Sequence, residues 1–211
     1  MENRERPLSG MDSLQIIQQM IDTAKQEQKD DGKGWILWGW MLFLASVSTV
    51  INMRYNWVAP FFFWNIFGGF SIVYFIVKKI RGAVEKDQQA VKTYTRDLYN
   101  KLNTGFFISL MFIIIAMNIG VNPMIGFPLL LNLYGFWVLI YGAVLNFKPS
   151  MVGAFIVWAL AFACLFVPTF QWVMMLHGVA VLFGYIIPGH MANREFKRAN
   201  SRKSSNQATG V

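Results

Sequence analysis

The chain has 211 residues, 55% of them hydrophobic and only 14% charged, with a mean hydropathy of +0.39. Soluble domains carry about 25% charged residues, and a water-soluble fold of this length cannot hide so much apolar surface. The composition therefore excludes an ordinary soluble domain and makes lipid the solvent for most of the chain. The net charge of +8 argues for membrane lipids and against nucleic acid, because the basic residues flank apolar runs instead of forming one continuous face.

Residues 1–34 read as a cytoplasmic N-terminal segment. Its start, MENRERPLSGMDS, is polar with mixed charge and lacks the apolar run of a cleavable signal peptide. A loose tail over 1–12 leads into an amphipathic helix with Asp12 as N-cap and Gln15 as its reciprocal partner. Leu14, Ile17, Ile21 and Ala24 fall at helical spacing, and Gln18, Gln19, Asp22 and Gln26 form the other side. Gly32 and Gly34 end the helix. Such a stripe suits a helix lying on the membrane or on the bundle's inner end, and equally a helix that docks a cytoplasmic partner.

The membrane domain is expected over 35–187. Span 1 (35–53) opens WILWGW, with Trp35, Trp38 and Trp40 as interfacial anchors. A turn at 54–59 leads to Pro60, which suits the first turn of span 2, ending near 77. The polar hub 78–103 follows and holds seven of the 19 Lys and Arg residues: Lys78, Lys79, Arg81, Lys86, Lys92, Arg96 and Lys101. Ile80, Val84, Val91, Tyr94 and Leu98 keep near-heptad spacing. That spacing predicts helical extensions of spans 2 and 3 folded back on each other, turning near 85–89; a solvated basic linker is the alternative. Span 3 (104–120), an uncharged link (121–126), span 4 (127–147), a turn at 148–150, span 5 (151–167), a turn at 168–169 and span 6 (170–187) complete the domain. Pro188-Gly189 ends span 6, and 188–211 is a basic cytoplasmic tail with a disordered Ser/Asn/Gln-rich end. The predicted fold class is all-α: a polytopic helical membrane protein of six transmembrane helices plus the N-terminal amphipathic helix. Spans of about 16 to 21 residues fit a hydrocarbon core near 30 Å.

Charge sets the orientation. With the N-terminus inside, 18 of the 19 basic residues are cytoplasmic and only Arg54 is outside, so the positive-inside rule places both termini in the cytoplasm of a multi-pass protein of the plasma (inner) membrane. Spans 2 and 4 share a pattern: NIFGGFSIVY (65–74) and NLYGFWVLIY (132–141) match at Asn, Gly and Tyr. Span 6 keeps the glycine alone, at Gly178, which suggests three helical hairpins with the hub inserted after the first.

All eleven Asp and Glu residues lie outside the spans, which also hold no Lys or Arg. Ion-coupled carriers place ionisable groups at membrane depth, so coupled transport loses support. His177 is the one histidine deep in a span, either a structural hydrogen-bonding residue or a proton carrier. His190 follows Pro188-Gly189 with only Glu195 at ligand spacing. A metal site needs about three or four protein ligands, and no HExxH, CxxC, GxSxG, Walker or dinucleotide glycine motif occurs. No catalytic residue, cofactor or metal is expected. The lone Cys164 allows no intramolecular disulfide. Asn65, Asn118, Asn132 and His177 remain as candidate intramembrane polar contacts, joining helices or lining a path for a small ligand.

The segments SLQIIQQMIDTAKQ, WILWGWMLFLAS and GYIIPGHMANRE together give a chain that resembles a family of small uncharacterised six-span bacterial membrane proteins. The resemblance covers most of the chain and implies six helical spans with no assigned activity.

The leading expectation is a non-enzymatic membrane protein. Its cytoplasmic face, built from Leu14, Ile17, Ile21, Lys78, Lys79 and Arg81, engages the inner leaflet, a cytoplasmic protein, or a second copy in a homo-oligomer. The alternative is a small transporter or channel with an Asn- and His-lined path, and a membrane enzyme is third. A continuous polar cavity around Asn65, Asn132 and His177 would favour transport; a dry core would favour the first.

Overall fold

The computed structural model describes residues 31–59, 61–84 and 94–208, with no strand among the described residues. The elements are α1 Lys33–Tyr55, α2 Phe62–Val84, α3 Tyr94–Asn118, α4 Pro123–Val144, α5 Lys148–Ala163 and α6 Phe170–Val181. A π-helical turn, Leu182–Ile186, then joins α6 to α7, Ile187–Ala208. The chain is all-helical, and four helical stretches are long and apolar enough to cross a membrane: Lys33–Tyr55, Leu98–Asn118, Pro123–Val144 and Phe170–Ser201. The apolar stretches Phe62–Tyr74 and Lys148–Ala163 are shorter.

The interior is built from α1, α4, α5 and the α6–π segment, whose facing positions are small. Ala45, Ser46 and Thr49 of α1 are buried. The Ser46 and Thr49 hydroxyls donate to the carbonyls of Leu42 (2.9 Å) and Ala45 (2.7 Å), so each is satisfied within its own helix and can enter an apolar contact. Where α5 crosses the π turn, a Cβ on Gly153 would lie 2.7 Å from the Phe183 carbonyl oxygen, so only glycine permits that approach. By contrast, α2 comes close in backbone only to α1, and α3 only to α4, among the described residues. The two peripheral helices leave a seam between them.

Several boundaries differ from the sequence-based expectation. The link 121–126 is shorter, because the Asn122 side chain accepts from the Met124 N–H (2.9 Å) and Pro123 opens α4. Lys148-Pro149-Ser150 is the first turn of α5 instead of a separate turn, Pro149 having the fixed φ of an early helical position. Pro188-Gly189 does not end span 6. The Ile187 N–H donates to the Leu182 carbonyl, five residues back, and this widened turn accommodates a proline that can neither donate nor tolerate a tight preceding turn. The helix therefore continues as α7 to Ala208, and the tail is helical where disorder was expected.

The hub contains helical extensions of α2, to Val84, and of α3, from Tyr94. They make no close backbone approach among the described residues; their turn at 85–89 lies outside the described residues. So does the amphipathic stripe Leu14, Ile17, Ile21 and Ala24.

Candidate functional site: an aromatic cavity in the α2–α3 seam

A cavity of about 240 Å³ lies between the start of α1, the middle of α2 and the first half of α3. From α1 it is lined by Gly34, Trp35, Trp38 and Leu42; from α2 by Phe67, Ser71 and Tyr74. From α3 come Tyr99, Asn103, Phe106, Phe107 and Leu110, and the floor is Tyr134 and Trp137 of α4 with Tyr185 of the π turn. The walls are held by ring contacts. Trp38 meets Tyr74 edge-on at 5.1 Å between centroids, and Phe106 stacks on Trp137 at 4.9 Å. Trp35 sits between Tyr141 (4.2 Å) and Tyr185 (4.7 Å). Trp35 is thus buried in the core, not an interfacial anchor, whereas Trp40 is exposed. The lining carries hydroxyl and amide groups but no charge.

A second cavity of about 50 Å³ occupies the other half of the same seam, with Asn65 and Asn118 on its walls. Phe67 and Tyr134 line both cavities.

His177 lies behind this seam, on α6, fully buried at 0% exposure. Its Nδ1 is 2.9 Å from the Ser46 Oγ. Since the Ser46 hydroxyl donates to the Leu42 carbonyl, the Ser46 oxygen accepts from the His177 Nδ1–H, and Nε2 is left as the unprotonated nitrogen. Trp64, Phe127 and Tyr134 enclose the imidazole edge-on at 5.1, 5.8 and 5.9 Å between centroids. The His177 Nε2 and the Trp64 Nε1 are buried without a hydrogen-bond partner among the described residues.

Of the candidate polar residues, Asn65 and Asn118 share the smaller cavity, whereas Asn132 and His177 do not line it. Asn132 is exposed, and only its backbone carbonyl is engaged, by the Trp158 Nε1–H at 3.1 Å. The residue of α4 that meets α5 here is Gly135, whose added Cβ would fall 2.6 Å from the Trp158 ring. The expectation that Asn132 faces another helix is therefore corrected. Asn65 is exposed on α2, and the Asn118 amide donates to the Ile114 carbonyl of its own helix (2.8 Å). Gly68, the partner of Gly135 in the sequence pattern, meets nothing within 4 Å, so the matched positions of spans 2 and 4 have different surroundings.

Arg81 is exposed in the last turn of α2, and Lys78 and Lys79 precede it in the same helix. Among the described residues no group of three His, Cys, Asp or Glu side chains converges on one point. One residue that the sequence did not flag is Asn52. Buried at the end of α1, it donates to the Val58 carbonyl (2.9 Å) and accepts from the Val58 N–H (3.0 Å), closing the turn toward α2. Its position just before Arg54 and Tyr55 was the only available hint. Comparison with protein-family models, curated proteins and solved structures finds no match.

Proposed function

We propose that the chain is a non-enzymatic membrane protein of six spans, with both termini cytoplasmic, whose basic cytoplasmic end engages the lipids of the inner leaflet. The observation that carries this reading is the sorting of chemistry along the bundle. The larger cavity lies along the middle of α2 and the first half of α3, and beyond it toward its C-terminus α2 carries Lys78, Lys79 and Arg81 in sequence. The opposite end of α1 carries Arg54 alone. Asn65, Asn132 and His177 share no single cavity among the described residues, which favours this reading over a transport path. Lipid engagement of this kind needs no reacting group, and basic residues near an anionic leaflet are each worth roughly 1 kcal/mol.

Two measurements test the reading. Single cysteines at positions 57 and 90, in a Cys164→Ser background, should label with a membrane-impermeant thiol reagent only from outside and only from inside, respectively. The melting temperature of the full chain in mild detergent should rise more with added phosphatidylglycerol than with phosphatidylcholine. Reversed labelling, or no preference between the two lipids, would overturn it.

A further inference from the structure

The α2–α3 seam carries a polarity gradient on both of its walls. On α2, Phe67, Ser71, Tyr74, Lys78 and Arg81 follow one another at intervals of four, three, four and three residues, which is one face of a helix. The first three line the cavity. Lys78 and Arg81 continue the same stripe for about 10 Å beyond Tyr74, at 1.5 Å per residue. On α3, Leu110, Phe106, Asn103, Tyr99 and Arg96 form the corresponding stripe in the opposite chain direction, and all but Arg96 line the cavity. Each wall therefore grades from apolar ring or alkyl through hydroxyl or amide to cation, in the same spatial direction. No carboxylate stands on either stripe.

That gradient is the shape of one molecule. Resting on the lipid-facing reading above, we infer that the seam is a binding site for a single anionic phospholipid of the inner leaflet. One acyl chain enters the aromatic cavity, the glycerol and ester region meets Ser71, Tyr74, Tyr99 and Asn103, and the phosphate lies at the basic ends of the two stripes, where Arg81 is exposed. Size selects the occupant: a cavity of about 240 Å³ accepts a hydrocarbon chain but not a helix about 10 Å across, which excludes both the chain's own N-terminal segment and a second copy from the cavity itself. Charge selects the headgroup. An aromatic lining alone suits a quaternary ammonium, but the basic residues that continue both helical stripes disfavour one. Access is lateral, because α2 and α3 have no close backbone approach to each other among the described residues.

The test uses the full chain reconstituted in phosphatidylcholine vesicles with a phosphatidylglycerol probe bearing a diazirine at the end of one acyl chain. Cross-linked peptides are mapped by mass spectrometry. Labelling is expected to concentrate within 67–74 and 99–110 over the exposed outer face of α5 around Phe155 and Phe162. A phosphatidylcholine probe with the same chain should label the seam far less. Lys78→Gln and Arg81→Gln should each lower seam labelling by the phosphatidylglycerol probe about fivefold, and Ser71→Phe, which fills the cavity, should abolish it. Three results would overturn the inference: equal seam labelling by the two probes; loss of labelling in the presence of glycerol 3-phosphate, which would make the site one for a soluble anion; or seam labelling that appears only after residues 1–30 are deleted, which would make that segment the occupant. A preference for phosphatidylglycerol in melting temperature without seam labelling would sink this site and leave the broader lipid reading standing.

Discussion

Replacing Ser46 by alanine should destabilise the protein, and replacing His177 by leucine in the same chain should reverse the loss. Ser46 makes two hydrogen bonds, and they differ in consequence. Its donation to the Leu42 carbonyl is a bond within one helix turn, and that carbonyl keeps its helical partner when the hydroxyl is removed. Its acceptance from the His177 Nδ1–H is the only bond of a fully buried ring. Ser46→Ala leaves that N–H without a partner, at a cost of about 1–3 kcal/mol. His177→Leu loses the same bond, worth about 1 kcal/mol, but also removes the unpartnered Nε2 and puts an apolar side chain of similar bulk among Trp64, Phe127 and Tyr134. The two effects oppose, so the single His177→Leu variant should lie within about 1 kcal/mol of the parent. The double variant should match His177→Leu, so the coupling equals the whole Ser46→Ala cost of about 1–3 kcal/mol. The assay is thermal unfolding of the full chain in mild detergent followed by tryptophan fluorescence, with roughly 2–4 °C expected per kcal/mol at this size. A neutral Ser46→Ala together with a His177→Leu variant that loses more than about 3 kcal/mol would refute the reasoning, because the histidine would then matter for something other than its bond to Ser46.

Other substitutions probe the close approaches. Gly32 has φ +67° and an added Cβ would collide with the Gly189 carbonyl oxygen, whereas one on Gly34 would meet nothing within 4 Å among the described residues; Gly32→Ala should cost at least about 1–2 kcal/mol and Gly34→Ala almost none, a contrast read by melting temperature. Gly153→Ala should cost about 1–3 kcal/mol, because the obstructing atom is a backbone oxygen of the π turn that cannot rotate aside. Asn52→Ala should leave the Val58 N–H and carbonyl without their partner, and in right-side-out vesicles proteolysis of the 55–60 turn from outside should speed up several-fold; an unchanged cleavage rate would mean that the turn is held by other contacts.

The helices were legible because apolar length is local information. The runs at 35–53 and 127–147 coincide within a few residues with α1 and α4. Helix rotation was not legible, because it is set by partners far away in the chain. Asn65 and Asn132 look alike in their ten-residue windows, yet Asn65 lines the smaller seam cavity while Asn132 is exposed, with Trp158, 26 residues beyond Asn132, lying against Gly135. The same distance problem hid the setting of His177: Ser46, its partner, is 131 residues away. At Pro188 the local rule that proline stops a helix lost to packing. The π turn brings Gly184 against Val157 and Tyr185 against Trp35, and a straight α-helix stopped at 187 would have given up the contacts that Gly189 and Asn193 make with the start of α1. The polarity stripe of α2 occupies an intermediate place. Its spacing from Phe67 to Arg81 is present in the sequence, but so is the apolar spacing that includes Ile80, an exposed residue that does not line the cavity. Only the cavity between the two walls shows which of the two faces is turned inward. A stripe that passes from ring to hydroxyl to cation within one helix is chemically ambiguous alone, since it also describes any helix leaving a membrane. Two such stripes, antiparallel in sequence and parallel in polarity around one cavity, specify the amphipathic shape of the molecule that fits between them.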